Sequence, residues 1–346
     1  MLYDAAIIGA GPAGCAAAIA LARSGLKTLI LEASPFPRHR PGESLHPGVE
    51  PLFEALGVAR QVNAAGFLRH SGHRVAWGNG DDQPGEMVLF GRDDGGDWRG
   101  FQANRAELDA VLLRQAIAHD AMVWQPCRVQ SVVLGGNVAS LETDRGPVRS
   151  RYLLDGSGRT QWLARQLGLS FTPHSHPLRA RYGYVRCPEG PSPFDMPLMQ
   201  RDADGWTWVA RVRPDRCAWV RMRFDGADPG GDWRLPQMLD FYPAGLSKGE
   251  DVTWRICETL AGEGWFLLGD AAFILDPASS HGVLKALMSG MQAAYLVTAC
   301  SEGKLTGAIA AQLYSEWLRT WFESDVSRLR EFYWGGQDAP QLPQLI

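Results

Sequence analysis

Ile7-Ile8-Gly9-Ala10-Gly11-Pro12-Ala13-Gly14 is the stretch that decides the fold. An apolar, strand-like run from Tyr3 leads into it. An Ala-rich helical segment from Cys15 to Arg23 follows, closed by Gly25, and a second apolar strand, Thr28–Leu31, ends at Glu32. Strand, glycine turn, helix and strand make a βαβ unit, which forces a parallel sheet. In such a turn Gly9 makes the tight bend, Gly11 lets backbone approach a pyrophosphate, and Gly14 lets the helix sit close on its strand. Ala13 lies inside the same turn and counts among the cofactor contacts. The free N–H groups at the helix start favour an anion. Glu32, about twenty residues further on, is placed to accept from a ribose hydroxyl and to repel an added 2′-phosphate. The pattern predicts a dinucleotide, either NAD or FAD.

Outward from this unit the text alternates between two kinds of structure. Residues 34–60 are rich in Pro and charge, with a helix expected around Val49–Leu56. Short alternating pieces, His73–Trp77 and Met87–Phe90, sit between Gly/Asp-rich turns and predict hairpins. Helical period returns at Arg105–His119. Arg128–Val133 and Val138–Thr143 read as a hairpin, and Tyr152–Leu154 as a strand entering Asp155-Gly156. Trp206–Arg213 turns at Pro214-Asp215 into Cys217–Phe224. Trp265–Leu268 is a buried strand reaching Gly269-Asp270, and a helix is expected from about Val283. A long amphipathic helix, Ala308–Phe332, precedes an irregular last dozen residues.

The chain has 346 residues, 45% of them hydrophobic and 21% charged, enough for one large or two modest cores and too apolar for a mainly disordered chain. A net charge of −4 argues against nucleic acid as a general partner. No run of about 18 apolar residues predicts a membrane span. Met1 runs straight into a strand, so no signal peptide is expected and the predicted location is cytoplasmic. The six cysteines lack a Cys-x-x-Cys pair and are expected to be reduced. His174 and His176 have no third ligand at metal-site spacing, so no metal is expected.

NAD or FAD is decided downstream. Asp270, at the end of a strand, supplies an acceptor for ribityl hydroxyls. Asp276-Pro277 and Gly282 lead into a helix whose start can face the pyrimidine edge of an isoalloxazine. Reduction places negative charge there, which a helix dipole stabilises by about 0.3–2 kcal/mol. No second glycine fingerprint follows a strand to hold a nicotinamide.

Five separated segments then carry a resemblance: Gly9–Gly14; Pro35–Arg38 with Pro41-Gly42-Glu43-Ser44-Leu45; Asn104-Arg105 with Leu108-Asp109; Asp155–Arg159; and Gly269-Asp270 through Gly282. In this order they resemble the FAD-dependent aromatic monooxygenases, closest to the flavin-dependent halogenases and their hydroxylating relatives. The resemblance implies extended FAD, with Arg38, Ser44 and Arg105 near it and the Val129 main chain near the adenine. It also implies an α/β fold in which a discontinuous Rossmann-like FAD-binding domain (1–66, 101–177 and 261–307) is interleaved with an antiparallel β-sheet substrate domain (67–100 and 178–260). A C-terminal helical tail (308–346) completes it.

Within that superfamily, halogenation and hydroxylation share a flavin hydroperoxide. The halogenases resembled here carry Trp-x-Trp-x-Ile-Pro, a Ser/Thr-Gly pair by the flavin, and a lysine beside the substrate. Trp206-Thr207-Trp208-Val209 matches the first half, but Ala210-Arg211 replaces Ile-Pro. His281 precedes Gly282, and Phe67–Arg74 has no lysine. Arg stays protonated and is a poor stand-in for a reactive amine. These departures favour an FAD-dependent monooxygenase that hydroxylates an indole- or phenol-like group, with halogenation as the alternative and an isoprenoid reductase as a third reading.

His281, and secondly Glu43, are the candidate proton acceptors. Alternation puts Trp206 and Trp208 on one face of their strand, able to line an aromatic site. It puts Arg211, Arg213, Arg221 and Arg223 on the other, facing water or an acidic partner. The compact chain suggests an open site for an aromatic group borne by a protein or carrier. A tryptophan within a polypeptide is one such group, which resembles the small flavoproteins of tryptophylquinone biogenesis. Electrons are expected from a separate flavin reductase or from NAD(P)H.

Overall fold

A computed structural model describes residues 1–77, 85–188, 190–230, 238 and 241–334. The irregular end expected over the last dozen residues lies outside the described part. Leu2–Ile8, apolar along its inner length and almost wholly buried, forms a central parallel strand. Thr28–Leu31 pairs with it on one side and Met122–Trp124 lies beyond. Val148–Asp155 pairs on the other side, followed by Trp265–Leu267. The Val129–Gly135/Val138–Thr143 hairpin adds antiparallel strands at that edge. The Val148–Asp155 strand has 8 residues and starts four residues before Tyr152-Leu153-Leu154, because its first half pairs with the hairpin.

The first helix, Pro12–Arg23, is Ala-rich for a packing reason. It lies against the Gly282–Ser301 helix so closely that a Cβ at Gly290 would stand 2.2 Å from the Ala13 carbonyl oxygen. Among the described residues Gly282–Ser301 is also the one helix with the length and mean hydropathy of a membrane span, yet much of it is buried in this contact.

The second sheet runs Glu86–Leu89, Gly72–Trp77, Leu198–Arg201, Gly205–Arg213, Arg216–Arg223, Arg179–Arg186, with Lys248–Asp251 and Tyr242-Pro243 at the edge. It is antiparallel except where Leu198–Arg201 lies parallel to Gly72–Trp77, since those strands come from distant parts of the chain. The C-terminal helix, Gly307–Trp334, is more than a tail. Tyr314, Leu318, Phe322, Val326, Leu329 and Tyr333 follow a helical period into the core, and Tyr314 Oη donates to the Leu267 carbonyl at 2.6 Å.

One buried acid ties these layers together. Asp276 Oδ2 accepts from Trp254 Nε1 at 2.6 Å, and its Oδ1 accepts from the Ala278 N–H at 2.8 Å. Burial pushes its pKa up to about 6. A folded-state value above the unfolded one means the native protein binds the proton more tightly. Its contribution is therefore favourable below about pH 4 and is lost as pH rises through 6, a swing of about 3 kcal/mol. In the apoprotein, Asp276→Asn is expected to remove that part of the pH dependence of urea stability between pH 4 and 6. An unchanged slope would contradict the assignment.

Candidate functional site

The glycine turn is built as its sequence requires. Gly9 has φ +89°, and a Cβ on it would stand 2.5 Å from the Gly156 carbonyl oxygen. A Cβ on Gly14 would stand 2.0 Å from the Gly9 carbonyl oxygen. Gly11 differs: its Cβ would meet only Arg38 Nη2, at 3.7 Å, so its side of the turn is open. Gly11 caps the helix with no side-chain hydrogen bond, leaving the first N–H groups, Ala13 among them, for an anion. Buried Glu32 sits under the turn, accepting from the Ala10 N–H at 2.7 Å and the Ser34 N–H at 2.8 Å. Its oxygens keep lone pairs for a ribose. The Cys127 N–H donates to the Glu32 carbonyl at 2.7 Å, which brings the chain leading to Val129 alongside.

Two arginines converge on one acid. Asp109, fully buried, accepts from Arg38 Nη1 at 3.3 Å and from Arg105 Nε and Nη2 at 3.0 and 3.2 Å. Arg38 Nη2 also lies 3.7 Å from Glu32 Oε2. Arg38 Nε is buried without a hydrogen-bond partner among the described residues. An orphaned guanidinium N–H beside an open glycine and a bare helix start fits a phosphate-bearing dinucleotide.

The second glycine stretch reaches the same place. A Cβ on Gly269 would stand 3.6 Å from Ala13 Cβ. Asp270, half-buried, lies with Oδ2 3.5 Å from Arg159 Nε. Gly282 opens its helix with nothing within 4 Å of a built Cβ and no side-chain cap, so its N–H groups remain available. Ser44 Oγ donates to Gln102 Oε1 at 2.8 Å and accepts from Trp208 Nε1 at 3.0 Å, linking the cofactor layer to the second sheet.

Beyond Ser44 lies a cluster of aromatic and imidazole rings. Phe90 is ringed by His46, His70 and His73 at 5.5, 5.3 and 6.1 Å between centroids. His73 reaches Trp208 at 5.6 Å, and His46 reaches His281 at 5.2 Å. Burial holds His46, His70 and His73 below the usual imidazole pKa, so these rings are neutral at pH 7. His70 also borders an open surface cavity of about 670 Å³, with Arg69 and Arg99 in its wall.

The other expected residues fall as follows. Glu43 is buried with both oxygens engaged, Oε1 by the Tyr184 hydroxyl and Oε2 by the Gly42 N–H at 2.9 Å. Burial raises its pKa. It bridges the cofactor layer and the second sheet through Tyr184. Trp206 is fully buried and donates to Tyr333 Oη at 2.6 Å, so only Trp208 of the pair reaches the ring cluster. The arginine face of the hairpin is covered at Arg211 and Arg221, while Arg213 and Arg223 stay partly exposed and pair with Glu107 and Asp225. Arg211 is neutralised by Asp195 and by the Gly190 and Pro188 carbonyls, Arg221 by Asp202, and Val209 packs in a second small core. Alternation sorts the two faces but does not show that the second is covered over Arg211 and Arg221. Asp109 and Tyr184 were missed as site residues. The four-residue spacing from Arg105 to Asp109 was a readable signal for the first.

A family model described as FAD binding domain matches residues 2–216. The chain is 30% identical over 344 residues to the tryptophan 2-halogenase of Chondromyces crocatus, covering 89% of this chain and 63% of that one, so it spans less than two thirds of that relative. It is 32% identical over 341 residues to the 1H-pyrrole-2-carbonyl-[peptidyl-carrier protein] chlorinase of Pseudomonas fluorescens, covering 83% and 74%. Among solved structures, the myxobacterial chondrochloren halogenase CndH superposes with a TM-score of 0.88 at 23% identity, covering 97% and 84%. The brominase Bmp2 gives 0.84 at 23% identity, covering 96% and 88%.

Proposed function

This chain belongs to the superfamily of FAD-dependent aromatic monooxygenases and flavin-dependent halogenases and is an FAD-dependent oxidoreductase; on that premise we propose that it halogenates an electron-rich aromatic ring borne by a carrier. The observation that carries this is the 32% identity to a chlorinase acting on a carrier-bound pyrrole, beside relatives that halogenate tryptophan or brominate a carrier-bound pyrrole. It reverses the preference for hydroxylation drawn from the sequence alone. Bound and reduced, FAD supplies the electrons that activate oxygen. Overall, an arene C–H, a halide, a proton, oxygen and reduced FAD give the aryl halide, oxidised FAD and two waters. The chain's own part is to hold the cofactor at the two helix starts and to offer the ring the aromatic faces of Phe90 and Trp208.

Hydroxylation stays as a second reading because of one observation. The chain has four lysines, Lys27, Lys248, Lys285 and Lys304. Of these only Lys285 is buried near His281, and it is bound to Asp325. The test supplies FAD, a flavin-reducing system, oxygen and chloride or bromide, with pyrrole-2-carbonyl carrier protein and free tryptophan as substrates. Mass spectrometry is expected to find one halogen, recognisable by its isotope pattern, on the carrier-bound ring. One added oxygen and no halogen would favour the second reading.

A further inference from the structure

His281 sits at the N-cap of the Gly282–Ser301 helix, where its side chain caps nothing. Its Nδ1 lies 3.4 Å from Oδ2 of Asp325, a residue of the C-terminal helix that is 2% exposed. The same oxygen takes a hydrogen bond from Lys285 Nζ, one helical turn beyond His281. Lys285 is itself buried, lies 5.6 Å from the ring centroids of both Phe273 and Trp321, and donates to the Trp321 carbonyl at 3.3 Å. Asp325 Oδ1 and His281 Nε2 have no hydrogen-bond partner among the described residues. The ring's other neighbour is His46, which borders Phe90.

We propose that Asp325 is a positioning residue, which fixes the proton of neutral His281 on Nδ1 and so leaves the Nε2 lone pair as the base that takes the ring proton. This rests on the reading of the protein as an aromatic-substitution enzyme. When the electrophile adds to a ring carbon, a new bond forms there and the ring becomes cationic. The electron pair of the C–H bond returns to the ring, the proton goes to His281 Nε2, and it leaves later to water. An imidazolium is then held by the Asp325 charge, the arrangement that lets a carboxylate orient and support a histidine base.

Lys285 explains how that charge survives inside the protein. Burial works against an ionised Asp325, but the hydrogen bonds from His281 and Lys285 outweigh it and hold the carboxyl below its usual range. A general base contributes about 10²–10⁴ in rate. The charged and titratable groups around His281 are His46 before the short helix at Pro47, Lys285 on its own helix, and Asp325 on the C-terminal helix, with Arg328 acting on Lys285.

The test compares the full chain with Lys285→Met/Asp325→Asn, in which both buried charges go together so that folding is not confounded by an uncompensated lysine. His281→Gln locates the His281 signals. Nitrogen-15 spectra of histidine-labelled protein are expected to show His281 protonated at Nδ1 when neutral, moving to the common Nε2–H form in the double variant. With substrate, kcat is expected to fall about 10²-fold at unchanged KM. A deuterium effect at the reacting carbon should then appear that the parent protein lacks. An Nε2–H tautomer in the parent protein, or a double variant unchanged in tautomer and kcat, would overturn the proposal. If the parent protein forms neither halogenated nor hydroxylated product, the functional reading fails, while the tautomer measurement still decides the role of Asp325.

Discussion

Gly14→Ala is expected to lower FAD affinity by about 100-fold and to destabilise the apoprotein as well. The new methyl would stand 2.0 Å from the Gly9 carbonyl oxygen and 3.2 Å from Ile7 Cγ2. The first of these neighbours is backbone, so no rotamer change relieves it and the helix must lift from its strand. Such overpacking costs about 3 kcal/mol, which is on the order of a hundredfold in binding if it falls on the cradle. Gly11→Ala gives the contrast. Its methyl meets only Arg38 Nη2 at 3.7 Å, so the apoprotein should melt where the parent does, while FAD, needing close approach there, should bind weakly. Calorimetric melting of the two apoproteins, with fluorescence titration by FAD, separates the effects. A Gly14→Ala protein that melts and binds normally would contradict the packing described.

Asp109→Asn carries the second large effect. The fully buried carboxylate holds both Arg38 and Arg105. Removing one partner of a buried ion pair leaves charge without compensation and costs about 3–5 kcal/mol. Arg38 keeps only a 3.7 Å approach to Glu32, so the amide should free it to swing away from the turn. Urea denaturation of the apoprotein should show a loss of that size, and FAD affinity should drop. A loss under about 1 kcal/mol would mean that solvent reaches the pair, as at surface salt bridges.

The sequence made the cofactor end legible and the substrate end hard to read. Gly9, Gly11 and Gly14 announce themselves because close backbone approach tolerates no other residue, and Glu32 follows at a spacing set by one βαβ unit. The parallel sheet follows from the same logic. By contrast, His46, Phe90 and His281 meet only because three distant segments fold together, and no local period marks such a meeting. The face of Arg211 and Arg221 was misjudged for a related reason. Alternation sorts residues to two sides of a strand, but whether a side is wet depends on what packs over it, here residues near Phe194 and Met238. Asp325 was invisible among the polar residues of an amphipathic helix, since its partners, Lys285 and His281, lie on another helix.

We propose that the Gly9–Gly14 turn and the Gly269–Gly282 stretch hold one and the same FAD. Hydrogen–deuterium exchange of the protein with and without FAD tests it most directly. Added protection is expected in both peptides at once, around Ala13-Gly14-Cys15 and around Gly282-Val283, saturating at the same FAD concentration. Protection confined to the first stretch, with the start of the Gly282–Ser301 helix exchanging as before, would contradict it.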